Sequence, residues 1–215
     1  MAGYRQGVRL TDECIVDMKD GLDFLENRKL ILASASPRRR ELLAQLGASV
    51  ELAPVRKVDE SYPEGTAPEE VPVYISRVKA LAYSDMIGEN EILVTADTVV
   101  IDGGRVLGKP RDAADACAML EELSGHTHKV VTGVTLMSAE RHLSFGVVTE
   151  VDFAPLGSDE IDYYVERYRP FDKAGAYGIQ EWIGYVGITG IRGDYYNVMG
   201  LPLCALYARL KEIVR

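Results

Sequence analysis

Residues 30–47, LILASASPRRRELLAQLG, run from an apolar strand through Ser-Ala-Ser-Pro directly into a helix, and this step constrains the fold more than any other segment. Ser36 stands where an N-cap belongs and Pro37 where a first helical residue belongs. Leu42, Leu43 and Leu46 form an apolar stripe that Gly47 stops. The three residues after the proline are Arg38, Arg39 and Arg40. Cations at a helix N-terminus oppose the macrodipole by a few tenths to about 1 kcal/mol each, so something negative should meet them. Free backbone N–H groups, the hydroxyls of Ser34 and Ser36 and the guanidinium forks together suit a phosphate chain. A solvated basic turn on a capped helix is the competing reading.

The rest of the chain makes a small anion the better match. With 215 residues, 47% of them hydrophobic, the chain can build one domain or two joined lobes around a sizeable core. Its net charge of -9 makes it a poor non-specific nucleic-acid binder, so no nucleic-acid partner is expected. Cys14, Cys117 and Cys204 lie far apart without metal-ligand spacing, which fits a reducing cytoplasm and assigns them no chemistry. No stretch is long and apolar enough to span a membrane, and the first residues lack the layout of a signal peptide. A soluble, cytoplasmic protein without a membrane partner is the expectation. Residues 1–29 are acid-rich, with Ile15, Met18, Leu22 and Leu25 at helical spacing, and read as a short surface helix or partly ordered extension. Met18 is an alternative start. Residues 30–215 form the globular domain.

Strand-like and helical patterns alternate through that domain. A second strand is predicted over 50–54, and a helix over 68–85 carries Val71, Ile75, Val78 and Ala82 on one face. A β-branched strand over 91–102 closes at Gly103-Gly104, and a helix over 112–123 is capped by Asp112. Segments 129–137 and 143–153 read as two strands that can pair. Helices follow over 158–168, with Ile161, Tyr164, Val165 and Tyr168 inward, and over 203–214, with Leu203, Leu206, Leu210 and Ile213 inward. The class is α/β, built on a mixed, twisted sheet flanked by helices.

Asp97 sits inside the apolar run ILVTADTVVI. A carboxylate there is costly unless it is paired, hydrogen-bonded or bound to a metal. It reads either as an acid accepting backbone hydrogen bonds at a bulge, or as a general base or ligand for Mg²⁺ or Mn²⁺. Lys109 lies between Gly108 and Pro110 in a turn, and Asp59-Glu60 lies in a polar loop; each has a solvated reading beside a ligand-binding one. After the helix over 158–168, the segment RPFDKAGAYGIQ sets two glycines among aromatic side chains and ends on Gln180, which can offer a base edge both a donor and an acceptor. His126 and His128 share an i,i+2 spacing on one strand face without an acidic or cysteine partner, which argues against zinc. Trp182, Tyr195 and Tyr196 read as packing residues around a cleft or as base-stacking groups.

Taken in order, Ser34-x-Ser36-Pro37-Arg38-Arg39, Ala96-Asp97-Thr98-Val99, Gly108-Lys109-Pro110, Asp172-Lys173-Ala174-Gly175-x-Tyr177-Gly178-Ile179-Gln180 and Gly200-Leu201-Pro202-Leu203 resemble the Maf family of nucleoside triphosphate pyrophosphatases over residues 30–213. The resemblance implies a two-lobed α/β fold similar to inosine triphosphate pyrophosphatases, with the site in the cleft between lobes. It also implies cleavage between the α- and β-phosphates of a nucleoside triphosphate with a divalent cation, Mg²⁺ or Mn²⁺, and it suggests a homodimer. Arg38, Thr98 and Gln180 occupy positions similar to the specificity determinants of the dTTP/UTP-type branch. Asp97 takes the place of the proton acceptor, and Glu60 and Asp97 the place of metal ligands. Ser34, Ser36, Arg39, Lys79 and Lys109 would then hold the phosphates, with Arg38 moved from phosphate to base and Arg40 left to solvent. The rival functions are a pyrophosphatase for 7-methyl-GTP or damaged purine nucleotides, and a nucleotide-sensing regulator of septum formation.

Overall fold

Strand β3 (Glu91–Asp102) is the spine of the molecule, because four hydrophobic clusters are built along its length, two on each face. The computed structural model describes residues 21–215. Before β3 come β1 (Lys29–Leu32), α1 (Pro37–Gln45), β2 (Val50–Leu52) and α2 (Val71–Leu81). After it come β4 (Arg105–Leu107), α3 (Ala113–Leu123), β5 (Thr127–Met137), β6 (His142–Phe153), α4 (Ser158–Tyr168), α5 (Trp182–Val186), β7 (Ile188–Arg192), α6 (Tyr195–Met199) and α7 (Leu203–Ile213). The seven strands form one mixed sheet in the order β2-β1-β3-β5-β6-β7, with β4 on β3; β1 runs parallel to β2 and β3, and the remaining pairs are antiparallel.

Side chains alternate along a strand, so one face of β3 presents Ile92, Val94, Ala96, Thr98 and Val100 in turn. The first three join Leu30 and Leu32 of β1, Leu42 and Leu43 of α1 and Leu206 and Leu210 of α7 in one core. Val100 belongs to another, with Leu120 and Leu123 of α3 and Ile161, Tyr164 and Val165 of α4. Thr98 lies between them, where the apolar sequence breaks. The two cores are the two lobes.

An open edge accompanies that break. β1 pairs with β3 only as far as Leu32 and Val94, and β4 begins only at Val100. Among the described residues, 95–99 of β3 therefore have no strand on that side, while β5 continues unbroken on the other.

The opposite face of β3, with Thr95, Asp97 and Val99, is covered by α2. Here the sheet is cut away: Gly133 of β5 is the register partner of Asp97 and faces the same side. A Cβ on Gly133 would lie 2.2 Å from the Pro72 carbonyl carbon, so only glycine lets α2 approach this closely. Polar contacts fix the helix in place, with the Thr95 hydroxyl donating to the Ser76 carbonyl at 2.7 Å and Ser76 Oγ 2.9 Å from Thr135 Oγ1.

The longer predicted elements are present. The strand over 50–54 shortens to Val50–Leu52, and the helix over 68–85 is three pieces: a 3-10 turn at Pro68–Glu70, α2 itself, and a 3-10 turn at Ser84–Met86. The prolines explain the start, since Pro68 opens the turn and Pro72 falls in the first turn of α2. Ser36 is at the N-cap of α1, but its hydroxyl makes no capping bond; its own N–H donates to Ser34 Oγ at 3.2 Å. Ile15, Met18 and Cys14 lie outside the described residues, whereas Leu22 and Leu25 are buried against the first core. Among the described residues no helix is long and apolar enough to cross a membrane.

The contact at Gly133 predicts the cost of filling it. Gly133→Ala should destabilise the protein by about 3 kcal/mol or more, lowering Tm by about 6–12 °C. Gly21→Ala, with nothing within 4 Å of the added carbon among the described residues, should melt with the wild type. Equal melting of the two variants in a thermal scan would refute the close approach.

Candidate active site

Along the open edge of β3 runs a cleft of about 400 Å³. Ser34, Ser36, Arg38, Arg39, Glu60, Lys79, Asp97, Thr98, Lys109 and Gln180 all line it, so the fold brings every sequence-predicted site residue to one cavity. They come from both lobes and from both faces of β3.

Asp97 projects towards α2. Its Oδ1 accepts from Lys79 Nζ at 2.8 Å, and Lys79 also reaches Glu60 Oε1 at 3.1 Å. Lys79 lies seven residues, two helical turns, beyond Pro72, so the approach permitted by Gly133 carries it over Asp97. Lys79 thus stands as the shared cation of two carboxylates, a pairing that its expected role as a free phosphate ligand did not include. Two carboxylates converging on one ammonium fit a hard divalent cation that keeps water and phosphate among its ligands. Among the described residues no third acidic, histidine or cysteine ligand joins them.

Thr98 projects the other way, towards Arg39. Arg39 donates from Nε to the Gly200 carbonyl at 2.8 Å, from Nη1 to the Ala96 carbonyl at 2.8 Å and Ser34 Oγ at 3.3 Å, and from Nη2 to Thr98 Oγ1 at 3.0 Å. A guanidinium has five N–H donors, so one remains for a ligand. Arg39 therefore offers a phosphate its charge more than a fork. Burial pushes this guanidinium below its ordinary pKa, opposed by the Asp97 carboxylate and assisted by Arg38. Thr98 Oγ1 lies 2.9 Å from Thr132 Oγ1, and the Thr132 hydroxyl donates to the Asn197 carbonyl at 2.9 Å. The Thr98 hydrogen is thereby directed to Thr132, and its lone pair receives Arg39. Gly200 is held at φ +108° at the end of α6, a conformation in which other residues are strained, and this aims its carbonyl at Arg39.

Arg38 points to the second lobe, where Nη1 meets Asp172 Oδ2 at 2.9 Å. Its other four N–H groups have no protein acceptor among the described residues. Lys109 is exposed at the rim, in a turn pinned by the Gly175 N–H donating to the Gly108 carbonyl at 3.0 Å. Gln180 is half-buried and lines the cleft; its backbone carbonyl accepts from the Tyr185 hydroxyl at 2.9 Å, while its side-chain amide has no hydrogen-bond partner among the described residues.

Other expected candidates lie elsewhere. Arg40 is exposed outside the cleft, and Asp59 Oδ1 accepts from the Ser61 N–H at 3.0 Å, a bond that lowers its pKa. Trp182 packs edge-on against Tyr163 with centroids 4.9 Å apart, Tyr195 and Tyr196 are exposed, and none of the three lines the cleft. Cys117 is half-buried and Cys204 exposed. The two histidines do not share a strand face: His126 precedes β5 and is exposed, while His128 is buried with Nε2 2.7 Å from the Tyr177 hydroxyl. What sequence reasoning missed is the partner set: Asp172, Thr132, Asn197 and the Gly200 carbonyl. Asp172 stood visible as an acid in a motif, but backbone acceptors have no sequence signature.

Burial pushes the His128 imidazole down to about 4, and its Nδ1 has no partner among the described residues. The unfolded chain binds that proton near pH 6.5, so the stability tied to a neutral His128 is complete above pH 6.5 and is lost as pH falls towards 4. The loss should reach about 3 kcal/mol. Urea unfolding at pH 7 and pH 4.5 should show the wild type losing more stability than His128→Phe; parallel losses would reject the assignment.

The family model described as Maf-like protein matches residues 29–213. The dTTP/UTP pyrophosphatase of Bacteroides fragilis is 52% identical over 189 residues, covering 88% of this chain and 98% of its own. That of Phocaeicola vulgatus is 51% identical over 192 residues, covering 89% and 100%. Among solved structures, the Ham1 protein of Staphylococcus aureus aligns with 86% of this chain and 100% of its own at 17% identity and a TM-score of 0.48. A family match running from the start of β1 to the end of α7, with half-identical relatives over nearly their full length, makes this chain a member of the Maf family.

Proposed function

We propose that the protein hydrolyses dTTP and UTP between the α- and β-phosphates, giving the nucleoside monophosphate and pyrophosphate. The observation that carries this reading is the division of one cleft into an acid–lysine group, Asp97 with Lys79 and Glu60, and a donor-rich group, Arg38 with Gln180. The relatives named as dTTP/UTP pyrophosphatases support the substrate class.

Asp97 Oδ1 is engaged by Lys79, and its other oxygen is left to accept a proton from water. The water oxygen forms the new bond to the α-phosphorus, and the bond from that phosphorus to the bridging oxygen breaks, sending the electron pair to pyrophosphate. Lys79, Lys109 and the Arg39 charge compensate the negative charge that builds on the leaving group, while Ser34 and Ser36 supply hydroxyls. Glu60 and Asp97 would hold a divalent cation, Mg²⁺ or Mn²⁺, which when bound polarises phosphate oxygens and offsets their charge.

At the base, uracil and thymine present O4 as an acceptor, where cytosine presents an amino group. Arg38 has only donors, so cytosine leaves N–H facing N–H, whereas Gln180 can turn its amide to either base. Each unpaired polar group costs about 1–3 kcal/mol, which makes Arg38 the sharper discriminator. Thr98 enters through Arg39, because its hydroxyl hydrogen is already directed to Thr132. This reading makes the protein a cytoplasmic guard against incorporation of unwanted nucleotides.

Pyrophosphate release across UTP, dTTP, CTP, GTP and 7-methyl-GTP, with Mg²⁺, Mn²⁺ or no metal, tests the proposal. UTP and dTTP should be turned over at least about ten times faster than CTP. Asp97→Asn should lower kcat by about 10²–10⁴ while UTP binding and thermal stability persist. Near-normal turnover by Asp97→Asn would defeat the assignment of the base, preference for 7-methyl-GTP would defeat the substrate, and UTP binding without release would make the protein a nucleotide sensor.

A further inference from the structure

Lys173 has no part in the chemistry above, yet it is buried and held between two carboxylates. Its side chain is 9% exposed, and Nζ lies 2.8 Å from Asp172 Oδ1 and 3.0 Å from Glu181 Oε1. Each carboxylate leads to one of the two residues assigned to the base. Asp172 turns its other oxygen, Oδ2, to Arg38 Nη1 at 2.9 Å. Glu181 adjoins Gln180, and its Oε2 accepts from the Tyr164 hydroxyl. That hydroxyl oxygen in turn accepts from the Gly178 N–H at 3.0 Å, so both ends of residues 178–181 are fixed to one buried tyrosine. Burial, followed by Glu181, pushes the Tyr164 phenol well above its ordinary pKa, so it stays a donor.

The energetics place the weight on Lys173. Asp172 is 56% exposed, and a pair as open as Arg38–Asp172 is screened and contributes little by itself. The contact that can hold Asp172 still is the one to the buried ammonium. Glu181 is only 19% exposed, and removal of its cation would leave it with the Tyr164 hydroxyl as its sole side-chain donor among the described residues. The backbone beside Lys173 is closely packed: Gly175 fits against Val100 of β3 where a Cβ would lie 2.7 Å from Val100 Cγ2.

We propose that Lys173 is a positioning residue for base recognition: through Asp172 it aims Arg38, through Glu181 it fixes the turn that carries Gln180, and it thereby sets the spacing between the two sides of the pyrimidine pocket. The proposal rests on the reading that Arg38 and Gln180 face the base. It extends the specificity machinery to a side chain in the cleft wall whose ammonium is already taken by two carboxylates, and it assigns the ion pair across the cleft to substrate selection.

Steady-state kinetics with UTP and CTP test this. Lys173→Met removes the charge and keeps the stem; it should lower the UTP-to-CTP ratio of kcat/KM by about ten-fold, through a higher KM for UTP, with kcat changed by less than about two-fold. Lys173→Arg should restore most of the ratio. Asp172→Asn, at an exposed site where folding is not at risk, should lower the ratio in the same direction and keep the wild-type Tm. An unchanged ratio in Asp172→Asn, or a parallel loss for UTP and CTP in Lys173→Met that Lys173→Arg does not rescue, overturns the proposal. Arg38→Gln separates the two levels: if it leaves the ratio unaltered, the base-facing reading itself fails; if it lowers the ratio while Asp172→Asn does not, only the role of Lys173 fails.

Discussion

The clasp made by Arg39 is the interaction on which the cleft depends. Opening the edge of β3 leaves the Ala96 carbonyl without a strand partner, in a region too enclosed for that to be free of cost. Arg39 supplies the missing donor and in the same guanidinium binds Ser34 of the loop after β1, Thr98 of β3 and the Gly200 carbonyl after α6. Three chain segments far apart in sequence meet on one side chain. An enclosed cation is tolerated when its donors are satisfied and a counter-charge is near, and here four donors are taken and Asp97 stands close. Successive helix residues point about 100° apart, so the same turn that directs Arg39 inward directs Arg38 across to Asp172.

This arrangement pairs much of the cleft's positive charge before any substrate arrives, although six cations line it against three carboxylates. Lys79 is shared by Glu60 and Asp97, and Lys173 by Asp172 and Glu181, with Asp172 also serving Arg38. A cationic patch of this size left unpaired would attract polyanions of any kind; in a chain of net charge -9, with carboxylates already on its cations, it suits an anion that can displace or reorganise those pairs.

The sequence carried the long elements well because their periodicity has room to repeat. The bounds 91–102 for β3 match residue for residue, α3 keeps its Asp112 cap, and α4 and α7 keep their expected inward faces. β4, β7, α5 and α6 span three to five residues, too few for a period of 2 or 3.6 to declare itself, and they were absent from the reading. At the site, residue identities were legible through spaced motifs, but their allegiances were not. The pairing of Lys79 with Asp97 was not legible because nothing in α2 announces the depth at which the helix lies; that depth is fixed by the absence of a side chain on Gly133, more than fifty residues later. Arg39 read as a free phosphate ligand because two of its four acceptors are backbone carbonyls, which every sequence contains.

Register explains how one strand serves both halves of the cleft. Asp97 and Thr98 are neighbours, so their side chains fall on opposite faces of β3: Asp97 meets α2 with Lys79, and Thr98 meets Arg39. A slip of one residue would exchange them. The cross-strand partners prevent it. Gly133 must lie beneath Pro72, because a Cβ at that point would fall 2.2 Å from backbone, and its opposite number on β3 is Asp97. Thr132 must face the other way, because its hydroxyl links Thr98 to the buried Asn197 carbonyl. Shifting β5 in either direction would drive Thr132 or Val134 into α2 and strand the Thr98 hydroxyl, so packing and hydrogen bonding select the same register. The position of the carboxylate is thus secured by the residue opposite it, and the strand can leave its other edge open without losing its alignment.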